Sequence, residues 1–464
     1  RWYFTTEPWM VIKKIMNSNI IVNKVYLFFA IILVISITNY SCENPNNISP
    51  PPADVGFISN EIIDEITFEE LLDLTQEKTF NYFWDFAEPG SGLAREDSSR
   101  PNIITMGGSG FAIASFTVAV ERGWISRFEA TERMELVLSF LESAQKYHGA
   151  FSHWYDSSGN TIPFSQLDDG GDIVETALLM QGLLIARQYF SENSSVEISV
   201  RSRITALWQA VEWTWYTQGQ NKITWHWSPT NNFDINLDVS GWNESLIVYI
   251  LAASSPTFPI NTDVYIQGWT GNGAMVNTGT FYDSFLPLGE NFGGPLFFSH
   301  YSFIGLNPTN LSDQYTNYFD QNRSHSLINY MHCVVNPNGY DGYNQNSWGI
   351  TASTNYDGYS AHSPTNDLGV IAPTAALSSF PYTPLESKRA LEHFYYNLNS
   401  NLWGEYGFYD AFSVHYNWVS ELYLAIDQGP IILMIENYRT QLLWNLFMQD
   451  QDIINGLNNL GFNF

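Results

Sequence analysis

The feature that most constrains the fold is an alternation of two kinds of helical segment after residue 61. Segments of the first kind are amphipathic, with apolar residues recurring every three to four positions. They cover residues 65–87, 127–146, 196–218, 310–334 and 384–399. Segments of the second kind open with glycine or proline among polar residues and then become apolar nearly all round. They begin at Met106, Asp168, Ser240, Gly293, Ser363 and Asp427. Because a helix that is apolar on every side is buried, the pattern predicts outer helices around inner ones.

Six inner helices alternating with six outer ones predict an all-α fold, an (α/α)6 barrel or toroid. The fourth outer helix, near Asn261–Trp269, has the weakest pattern. No short internal repeat is visible, which argues against a helical solenoid. Long polar loops lead into the inner helices, notably at 219–240, 271–294, 335–363 and 400–427. Long loops without structure of their own are usually functional, so we expect these to build a cleft at one end of the barrel.

Residues 1–41 are predicted to be a signal segment with an upstream extension. Basic residues precede an apolar run at 25–37, which is short for a transmembrane helix and suits a secretory signal. Cys42 then follows a serine, as in a bacterial lipoprotein signal; the alternative is ordinary cleavage nearby, with Cys42 left in the tail. Residues 42–60 predict a lipid-anchored, Pro- and Asn-rich tether, and residues 61–464 the barrel domain. We therefore expect an exported lipoprotein of the periplasm or outer membrane.

Composition narrows the class of ligand. Lys and Arg total 19 against 47 Asp and Glu, which gives a formal net charge of −28. This balance argues against nucleic acid, whose binders need clustered basic residues, and against docking on an anionic membrane surface. Aromatic residues make up 16% of the chain and charged residues only 14%. Such a chain suits a neutral, ring-shaped ligand such as a sugar, although a large aromatic core is an equally simple explanation.

Carboxylates cluster where two of the inner helices are expected to begin. Asp172 and Glu175 share one helix face, with about 5–6 Å between their Cβ atoms, and Asp168 lies just before them. Helix capping by Asp172, with Glu175 as its partner, explains this pair as well as catalysis does. Glu244 precedes a wholly apolar helix, where an unpaired charge is costly, and this favours a functional role.

Such carboxylates suit the hydrolysis of a glycosidic bond. One carboxyl group protonates the leaving oxygen while the other delivers water to the anomeric carbon. Groups about 6.5–9.5 Å apart leave room for that water and invert the anomeric centre. Carboxylates on successive inner helices can span a gap of this size.

Further candidates lie in the loops. Asp410 occupies an aromatic loop, where a turn is an equal explanation, and Asp427 is interpreted as a helix cap. His300 and His362 fall where loops meet helices and are candidates for binding sugar hydroxyls. Candidates for stacking on glucose, each with core packing as the alternative, are Trp154, Trp242, Trp348, Tyr301, Tyr359 and Tyr406. Metal-ligand spacing, nucleotide fingerprints and serine-hydrolase motifs are absent from the sequence, so no metal or other cofactor is expected.

Six motifs in a fixed order carry a family resemblance. They are DDGGDIVETALLMQGLL, GWNESLIVY, GPLFFSHYSFIGLNP, SWGITASTNYDGYSAHSPTNDLGVIAPTAALSSFPY, EYGFYDAF and DQGPIILMIENYR. Together they resemble the glycoamylase-like family of bacterial β-1,2-glucanases, glycoside hydrolase family 144, over about residues 65–450. The resemblance implies an (α/α)6 barrel and metal-free, inverting hydrolysis of β-1,2-glucan to sophorose and short sophoro-oligosaccharides. It also implies that Asp172, Glu175 and Glu244 are essential, without deciding which of them is the acid and which the base.

Taken together, these features predict a monomeric glycoside hydrolase acting on a neutral β-linked glucan. Glu244 or Glu175 would protonate the glycosidic oxygen, another acidic group would activate water, and Asp172 would hold a sugar hydroxyl. Two alternatives stay open: a non-catalytic glycan-binding lipoprotein, and a different glucan hydrolase or transglycosylase on the same barrel. Endo or exo action would depend on loops such as 91–104, which can close one end of the cleft.

Overall fold

The computed structural model describes residues 65–464. The predicted signal segment, the tether and Cys42 lie outside the described residues and stay predictions. Within residues 65–464, no helix is both long enough and apolar enough to cross a bilayer.

The described residues form fourteen α-helices. In chain order they are α1 (Phe68–Trp84), α2 (Met106–Arg122), α3 (Arg127–Ser143), α4 (Ile173–Tyr189), α5 (Ser195–Ala210), α6 (Leu246–Ser254), α7 (Thr262–Val264), α8 (Tyr318–Val335), α9 (Pro373–Leu377), α10 (Pro384–Tyr396), α11 (Asn399–Leu402), α12 (Ala425–Arg439), α13 (Leu442–Met448) and α14 (Gln451–Leu460). Helix α7 continues as a π-helix over Tyr265–Trp269. The bounds reproduce the predicted alternation, with α1, α3, α5, α7, α8 and α10 as the outer helices.

The outer helices other than α10 begin at side chains that cap them. The side chains of Thr67 and Ser126 each accept a hydrogen bond from the backbone N–H three residues on. In turn, the carboxylates of Glu70 and Glu129 accept one from the backbone N–H of the capping residue. These capping boxes satisfy N–H groups that would otherwise have no partner. The outer helices then bury the apolar stripe that their period of 3.6 residues creates.

The inner helices are α2, α4, α6, α9 and α12, and they are buried along most of their length. The fourth inner position is filled instead by two 3-10 turns, Leu296–Ser299 and Ser302–Ile304. Gln181 of α4 explains why no regular helix forms there. Its amide donates to the Tyr301 carbonyl and accepts from the Gly305 N–H, both at 3.0 Å, so it replaces helical partners. The twelve alternating positions form the (α/α)6 barrel, with this irregular member among them.

The loops that lead into the inner helices were predicted to have no secondary structure, but they contain short strands. The strands are β1 (Ile104–Thr105), β2 (Trp154–Tyr155), β3 (Thr161–Ile162), β4 (Gly171–Asp172), β5 (Ile223–Thr224), β6 (His226–Trp227), β7 (Asp238–Val239), β8 (Thr280–Phe281), β9 (Ser284–Phe285), β10 (Ala352–Asn355), β11 (Gly358–Ala361), β12 (Trp403–Gly404), β13 (Gly407–Phe408), β14 (Phe412–Ser413) and β15 (Trp418–Val419). All pairs are antiparallel: β1–β2–β3, β4–β6, β5–β7, β8–β9, β10–β11, β12–β13 and β14–β15. Strands β1 and β4 run directly into α2 and α4, so the pairings hold the ends of these inner helices in place.

Two glycines let α2 and α4 pack backbone against backbone. A Cβ atom added to Gly182 would lie 1.9 Å from the Gly110 carbonyl oxygen. One added to Gly110 would lie 2.2 Å from the Leu178 carbonyl oxygen. No side chain can occupy such positions without moving a helix, so these glycines set the distance between the two inner helices.

We expect Gly182→Ala to lower the midpoint of thermal unfolding. Helix propensity alone would stabilise this variant by about 0.5–1 kcal/mol. The clash with α2 should instead cost about 1–3 kcal/mol, as overpacking of a core does. Calorimetry of the variant measures the sign of the change, and Glu132→Ala, at an exposed position of α3, is the control expected to change little. A raised midpoint for Gly182→Ala would contradict the close packing.

Candidate active site

Asp172 is the N-cap of α4 and is fully buried. Its Oδ1 accepts hydrogen bonds from the N–H groups of Val174, at 2.9 Å, and Glu175, at 3.0 Å, so the predicted capping role is confirmed. Its Oδ2 lies 3.3 Å from His153 Nδ1 and 3.5 Å from His226 Nε2. Burial alone would raise the pKa of Asp172, but the hydrogen bonds and charges of the two histidines outweigh burial and hold this pKa well below its ordinary value.

Strand pairing brings His226 to this site. Strand β4 pairs with β6 in a register that sets Asp172 opposite His226 and Gly171 opposite Trp227. Residues opposite each other in an antiparallel pair have Cα atoms about 4.5–5.5 Å apart. The pairing therefore places an imidazole from a distant loop beside the N-terminus of α4.

Glu175 does not complete the expected capping box, because its carboxylate turns to the neighbouring inner helix. Its Oε2 accepts a hydrogen bond of 2.6 Å from the N–H of Gly107, in the first turn of α2. A Cβ atom at Gly107 would lie 2.7 Å from the same oxygen, so this contact requires glycine. Burial raises the pKa of Glu175 to about 7, with His153 opposing the shift and the charge of Asp172 adding to it.

Two imidazoles and three carboxyl groups form one network. Burial would lower the pKa of His153, but Glu175 and Asp172 raise this pKa to about 10. His226 Nε2 lies 3.3 Å from Asp168 Oδ2, and, against burial, Asp168 and Asp172 raise the pKa of His226. Burial raises the pKa of Asp168. At neutral pH His153 is therefore an imidazolium that balances part of the buried negative charge.

Glu244 lies just before α6 and is held by its backbone. Its carbonyl accepts a hydrogen bond from the Ser302 hydroxyl, whose oxygen accepts one of 3.0 Å from the Ile247 N–H. Burial raises the pKa of its carboxyl to about 7, and the charges of Glu175 and Asp172 contribute in the same direction. No cationic side chain within residues 65–464 forms an ion pair with this carboxyl group. Glu244 is thus a protonatable acid whose carboxyl group is not engaged by a counter-ion.

A second pair of carboxyl groups consists of Asp410, in the loop between α11 and α12, and Asp427, in the first turn of α12. Asp427 was expected to be a cap, but this interpretation is wrong, because Leu424 occupies the N-cap position of α12. Asp427 Oδ1 instead accepts a hydrogen bond of 3.2 Å from the Tyr301 hydroxyl. Asp410 Oδ2 accepts hydrogen bonds from Thr354, at 2.8 Å from the backbone and 2.6 Å from the hydroxyl. Both aspartates are buried.

The carboxyl groups of Asp410 and Asp427 are close enough to shift each other's pKa. Burial, followed by the charge of Asp410, raises the pKa of Asp427 well above its ordinary value. Two buried carboxyl groups this close favour a single negative charge over two.

Two observations place these groups around one cleft. The charge of Glu96 acts on His153 and Glu175, and also on Asp427. Tyr359 is 37% exposed, and the charged groups that act on its hydroxyl are Asp427, Asp410, Glu96 and Glu244. Because electrostatic effects of this size fall off with distance, the carboxyl groups share the space at the N-terminal ends of α2, α4, α6 and α12.

Of the predicted site residues, the structure brings five carboxyl and aromatic groups to this cleft besides the three predicted catalytic ones. They are Asp168, Asp410, Tyr301, Tyr359 and Trp154. Trp154 lies beside His153, with ring centroids 5.5 Å apart, and Arg100 covers its ring at 5.0 Å. The functions of these residues stay predictions.

Three predicted ligands of the sugar lie in the core instead. Trp348 is fully buried and its indole N–H donates to the Glu386 carbonyl at 3.2 Å. His300 Nε2 lies 3.0 Å from the Ser379 hydroxyl, and burial lowers the pKa of this histidine to about 3. Trp242 packs among aromatic rings and is 6% exposed. Protein atoms cover these three side chains, and their contacts with a sugar stay predictions.

His362 is buried and Tyr406 is partly buried, and their roles also stay predictions. His362 is 1% exposed, and burial lowers its pKa to about 4, so it is neutral and enclosed. Tyr406 packs against Tyr82 and Tyr423, with ring centroids 5.8 and 5.3 Å apart. It belongs to an aromatic cluster below the loop that contains Glu96.

Sequence reasoning missed His153, His226, Glu96 and the role of Asp427. The two histidines reach Asp172 through loops and strand pairing, for which the spacing along the chain contains no signal. Glu96 lies in the loop that was considered only as a wall of the cleft. Asp427 is part of the motif DQGPIILMIENYR. The sequence around it favoured helix capping, so a role in the cleft was not predicted.

One group of side chains can offer ligands to a metal ion. Ligand atoms of His153, Asp168 and Asp172 lie within 4.8 Å of one another. These side chains also pair with one another, since His153 Nδ1 lies 3.3 Å from Asp172 Oδ2. The absence of a metal stays a prediction from the sequence.

Known proteins resemble this chain over the whole barrel. A family model named Glycoamylase and described as "Putative glucoamylase" matches residues 236–451. The exo beta-1,2-glucooligosaccharide sophorohydrolase (non-reducing end) of Parabacteroides distasonis is 45% identical over 419 residues, or 85% of this chain. The chain spans 58% of the length of that curated relative.

Two solved structures have the same fold and high identity. The endo-beta-1,2-glucanase from Chitinophaga pinensis, in complex with sophorotriose and glucose, is 48% identical with a TM-score of 0.85; the match covers 86% of this chain and 99% of that one. The beta-1,2-glucanase from Parabacteroides distasonis is 44% identical with a TM-score of 0.84; the match covers 86% of this chain and 61% of that one.

We expect His153 to stay protonated well above neutral pH, with a pKa of about 10. Histidine-selective labelling and NMR titration measure this, and His153→Gln assigns the resonance by removing it. In Asp172→Asn the pKa of His153 should fall towards 6.5, its ordinary value. Because the folded-state pKa is raised, this group stabilises the fold fully below pH 6.5 and loses that contribution as the pH rises through about 10. Titration of His153 near its ordinary pKa would contradict the network.

Proposed function

Because the chain belongs to the glycoamylase-like family of bacterial β-1,2-glucanases, glycoside hydrolase family 144, we propose that it hydrolyses β-1,2-glucan. The observation that carries the proposal is the carboxyl group of Glu244. It is buried, its pKa is raised to about 7, and it faces an ionised network that contains Asp172. An acid of this kind is protonated at neutral pH and can donate its proton to a glycosidic oxygen.

Glu244 is a better acid than Glu175, although the pKa of both groups is raised to about 7. The carboxylate of Glu175 already accepts a hydrogen bond from the Gly107 N–H and lies 3.8 Å from His153 Nε2. Its charge and that of Asp172 keep the Glu244 carboxyl protonated. We assign Glu175 to this electrostatic role and to the support of the cleft wall.

The base is assigned to the Asp410–Asp427 pair. This pair favours a single negative charge, and the ionised group can accept a proton from water. Burial raises the pKa of Asp410 as well, which strengthens the pair as a base. The Tyr301 hydroxyl, which donates to Asp427 at 3.2 Å, fixes the orientation of the pair. An acid and a base on different inner-helix ends suit an inverting mechanism, in which a water enters opposite the leaving group.

Asp172 acts through its partners rather than on the sugar. Both of its oxygens are engaged, one by the N-terminus of α4 and the other by His153 and His226. Its negative charge holds the two imidazoles and contributes to the raised pKa of Glu244. The hydroxyl-binding role expected for Asp172 is therefore replaced by one of positioning.

Loop 91–104 forms a fixed wall at the cleft. Its backbone pairs with Leu424 through Asp97, and Arg100 pairs with Asp97 at 2.5 Å while covering the Trp154 ring. Glu96, in the same loop, lies 3.5 Å from Arg100. These contacts hold the loop in place. The sizes of the reaction products will show whether this loop closes one end of the cleft.

The function is tested by incubating the purified protein with linear β-1,2-glucan and following product sizes over time. A ladder of sophoro-oligosaccharides means endo action with an open cleft, and sophorose alone from the start means exo action with one end closed. Chelator should leave the rate unchanged, because the sequence has no metal-ligand spacing. Binding without products would favour a glycan-binding protein; longer products, or action on starch, would favour another enzyme class.

We expect Glu244→Gln to lower kcat by about 10²–10⁴-fold, the usual contribution of a general acid. The amide is nearly isosteric and should leave the thermal unfolding midpoint unchanged or slightly raised, since it removes a buried charge. Glu132→Gln, on the exposed face of α3, is the matched control and should keep wild-type kinetics. Wild-type activity in Glu244→Gln would remove this residue from the mechanism.

We expect kcat/KM to fall as the pH rises through about 7, because Glu244 then loses the proton that it must donate. The raised pKa of the acid makes the protonated, active form dominate below that pH. A pH profile of kcat/KM measures this alkaline limb. The limb should survive in Glu175→Gln, at a lower pH, because that variant removes a charge that raises the pKa of Glu244. Activity constant up to pH 9 would contradict the assignment.

A further inference from the structure

A group of four rings, of which Trp215 is exposed and the others are half-buried, lies near strand β6. We call it the outer aromatic patch, and it consists of His148, Trp215, Trp227 and Phe233. The His148 and Trp215 rings stack with centroids 3.6 Å apart and an interplanar angle of 13°. Trp227 meets both rings edge-on, at 5.2 and 6.3 Å, and Phe233 lies 6.5 Å from Trp215.

The local backbone holds the rings of the patch in fixed positions. His148 and Gly149 are the central residues of a two-residue turn with φ of 52° and 76°, closed by hydrogen bonds between Tyr147 and Ala150 of 2.8 and 3.0 Å. Such a turn needs a positive φ at both positions and holds its residues rigidly. His148 Nδ1 also lies 3.1 Å from Glu212 Oε2, which orients the imidazole.

Trp215 is held in place but left open to solvent. It begins a 3-10 turn, and its N–H donates to the Glu212 carbonyl at 2.8 Å. Despite this anchoring, the residue is 41% exposed. A large indole with a fixed backbone and an exposed surface is typical of a binding site rather than of a core that failed to close.

Strand β6 connects the patch to the cleft. Successive residues of a strand point to opposite faces. His226 faces the Asp172 network, so Trp227 faces away from it and into the outer aromatic patch. The patch therefore lies directly behind the strand that supplies a cleft histidine, within reach of a polymer that leaves the cleft.

We propose that the outer aromatic patch binds a stretch of the β-glucan chain outside the cleavage cleft. Sugar rings present apolar C–H faces that pack on aromatic rings, and their hydroxyls suit the polar side chains beside the patch, such as Glu212 and Gln218. A glucan is neutral, so the net charge of −28 does not oppose its approach. The same charge would oppose a second copy of this chain or an anionic membrane.

This inference rests on the proposed function and deepens it. A site outside the cleft makes no contact with the reacting atoms, so it affects the affinity for long chains and leaves the chemical step unchanged. Its loss should therefore raise KM for polymeric β-1,2-glucan and leave kcat alone. Oligosaccharides too short to reach the patch should be cleaved as by the wild type.

The test compares wild type, Trp215→Ala, Trp215→Phe and Phe233→Ala on long β-1,2-glucan and on sophoro-oligosaccharides of about five units. We expect Trp215→Ala to raise KM for the polymer about 2- to 12-fold, the range expected from losing an aromatic contact, with kcat unchanged. Phe233→Ala should have a smaller effect in the same direction, and Trp215→Phe should restore most of the affinity. Phe128→Ala, an aromatic residue 68% exposed on α3, is the matched control.

The outcomes separate the two proposals. If the wild type cleaves the polymer and Trp215→Ala keeps its KM, the patch proposal fails while the function stands. Equal losses on polymer and short oligosaccharides, or a lower molar mass of the variant in light scattering, also overturn it, since they indicate a folding role or self-association. If the wild type neither cleaves nor binds β-1,2-glucan, both proposals fail.

Discussion

The buried carboxylate of Asp172 is the interaction on which the site depends. A fully buried charge is tolerated only when hydrogen bonds and opposite charges replace the water that it has lost. The N-terminus of α4 supplies two N–H groups to one oxygen, and His153 and His226 serve the other. The same arrangement fixes where two loops must lie, because each histidine reaches Asp172 from a loop of its own.

The network sets the protonation states around it. Burial, together with negative charge at Asp172, raises the pKa of the nearby Glu175 and Glu244 carboxyl groups to about 7. Burial also raises the pKa of both members of the Asp410–Asp427 pair. The cleft therefore contains proton donors and acceptors side by side at neutral pH, which a glycoside hydrolase requires and a binding protein does not.

Packing at the inner helices explains why the site is rigid. The glycine contacts of α2 and α4 bring the two helices close enough for the Gly107 N–H of one to reach the Glu175 carboxylate of the other. Long loops between the helices are stiffened by two-residue strands such as β4 and β6. One of these strands carries a cleft histidine on one face and an exposed tryptophan on the other, and so links the chemistry to the outer aromatic patch.

The sequence by itself determined the alternation of helices and three of the acidic residues. Periodicity and capping are local properties, so the outer helices, the apolar inner segments and the Asp172 cap can be read from neighbouring residues. His153, His226 and Asp427 could not be placed in this way, because strand register and the pairing of distant loops bring them to the cleft. Likewise, the sequence around Trp348 and Trp242 did not determine whether these rings are buried. Only the tertiary structure decided this, because burial depends on what the rest of the chain places over a residue.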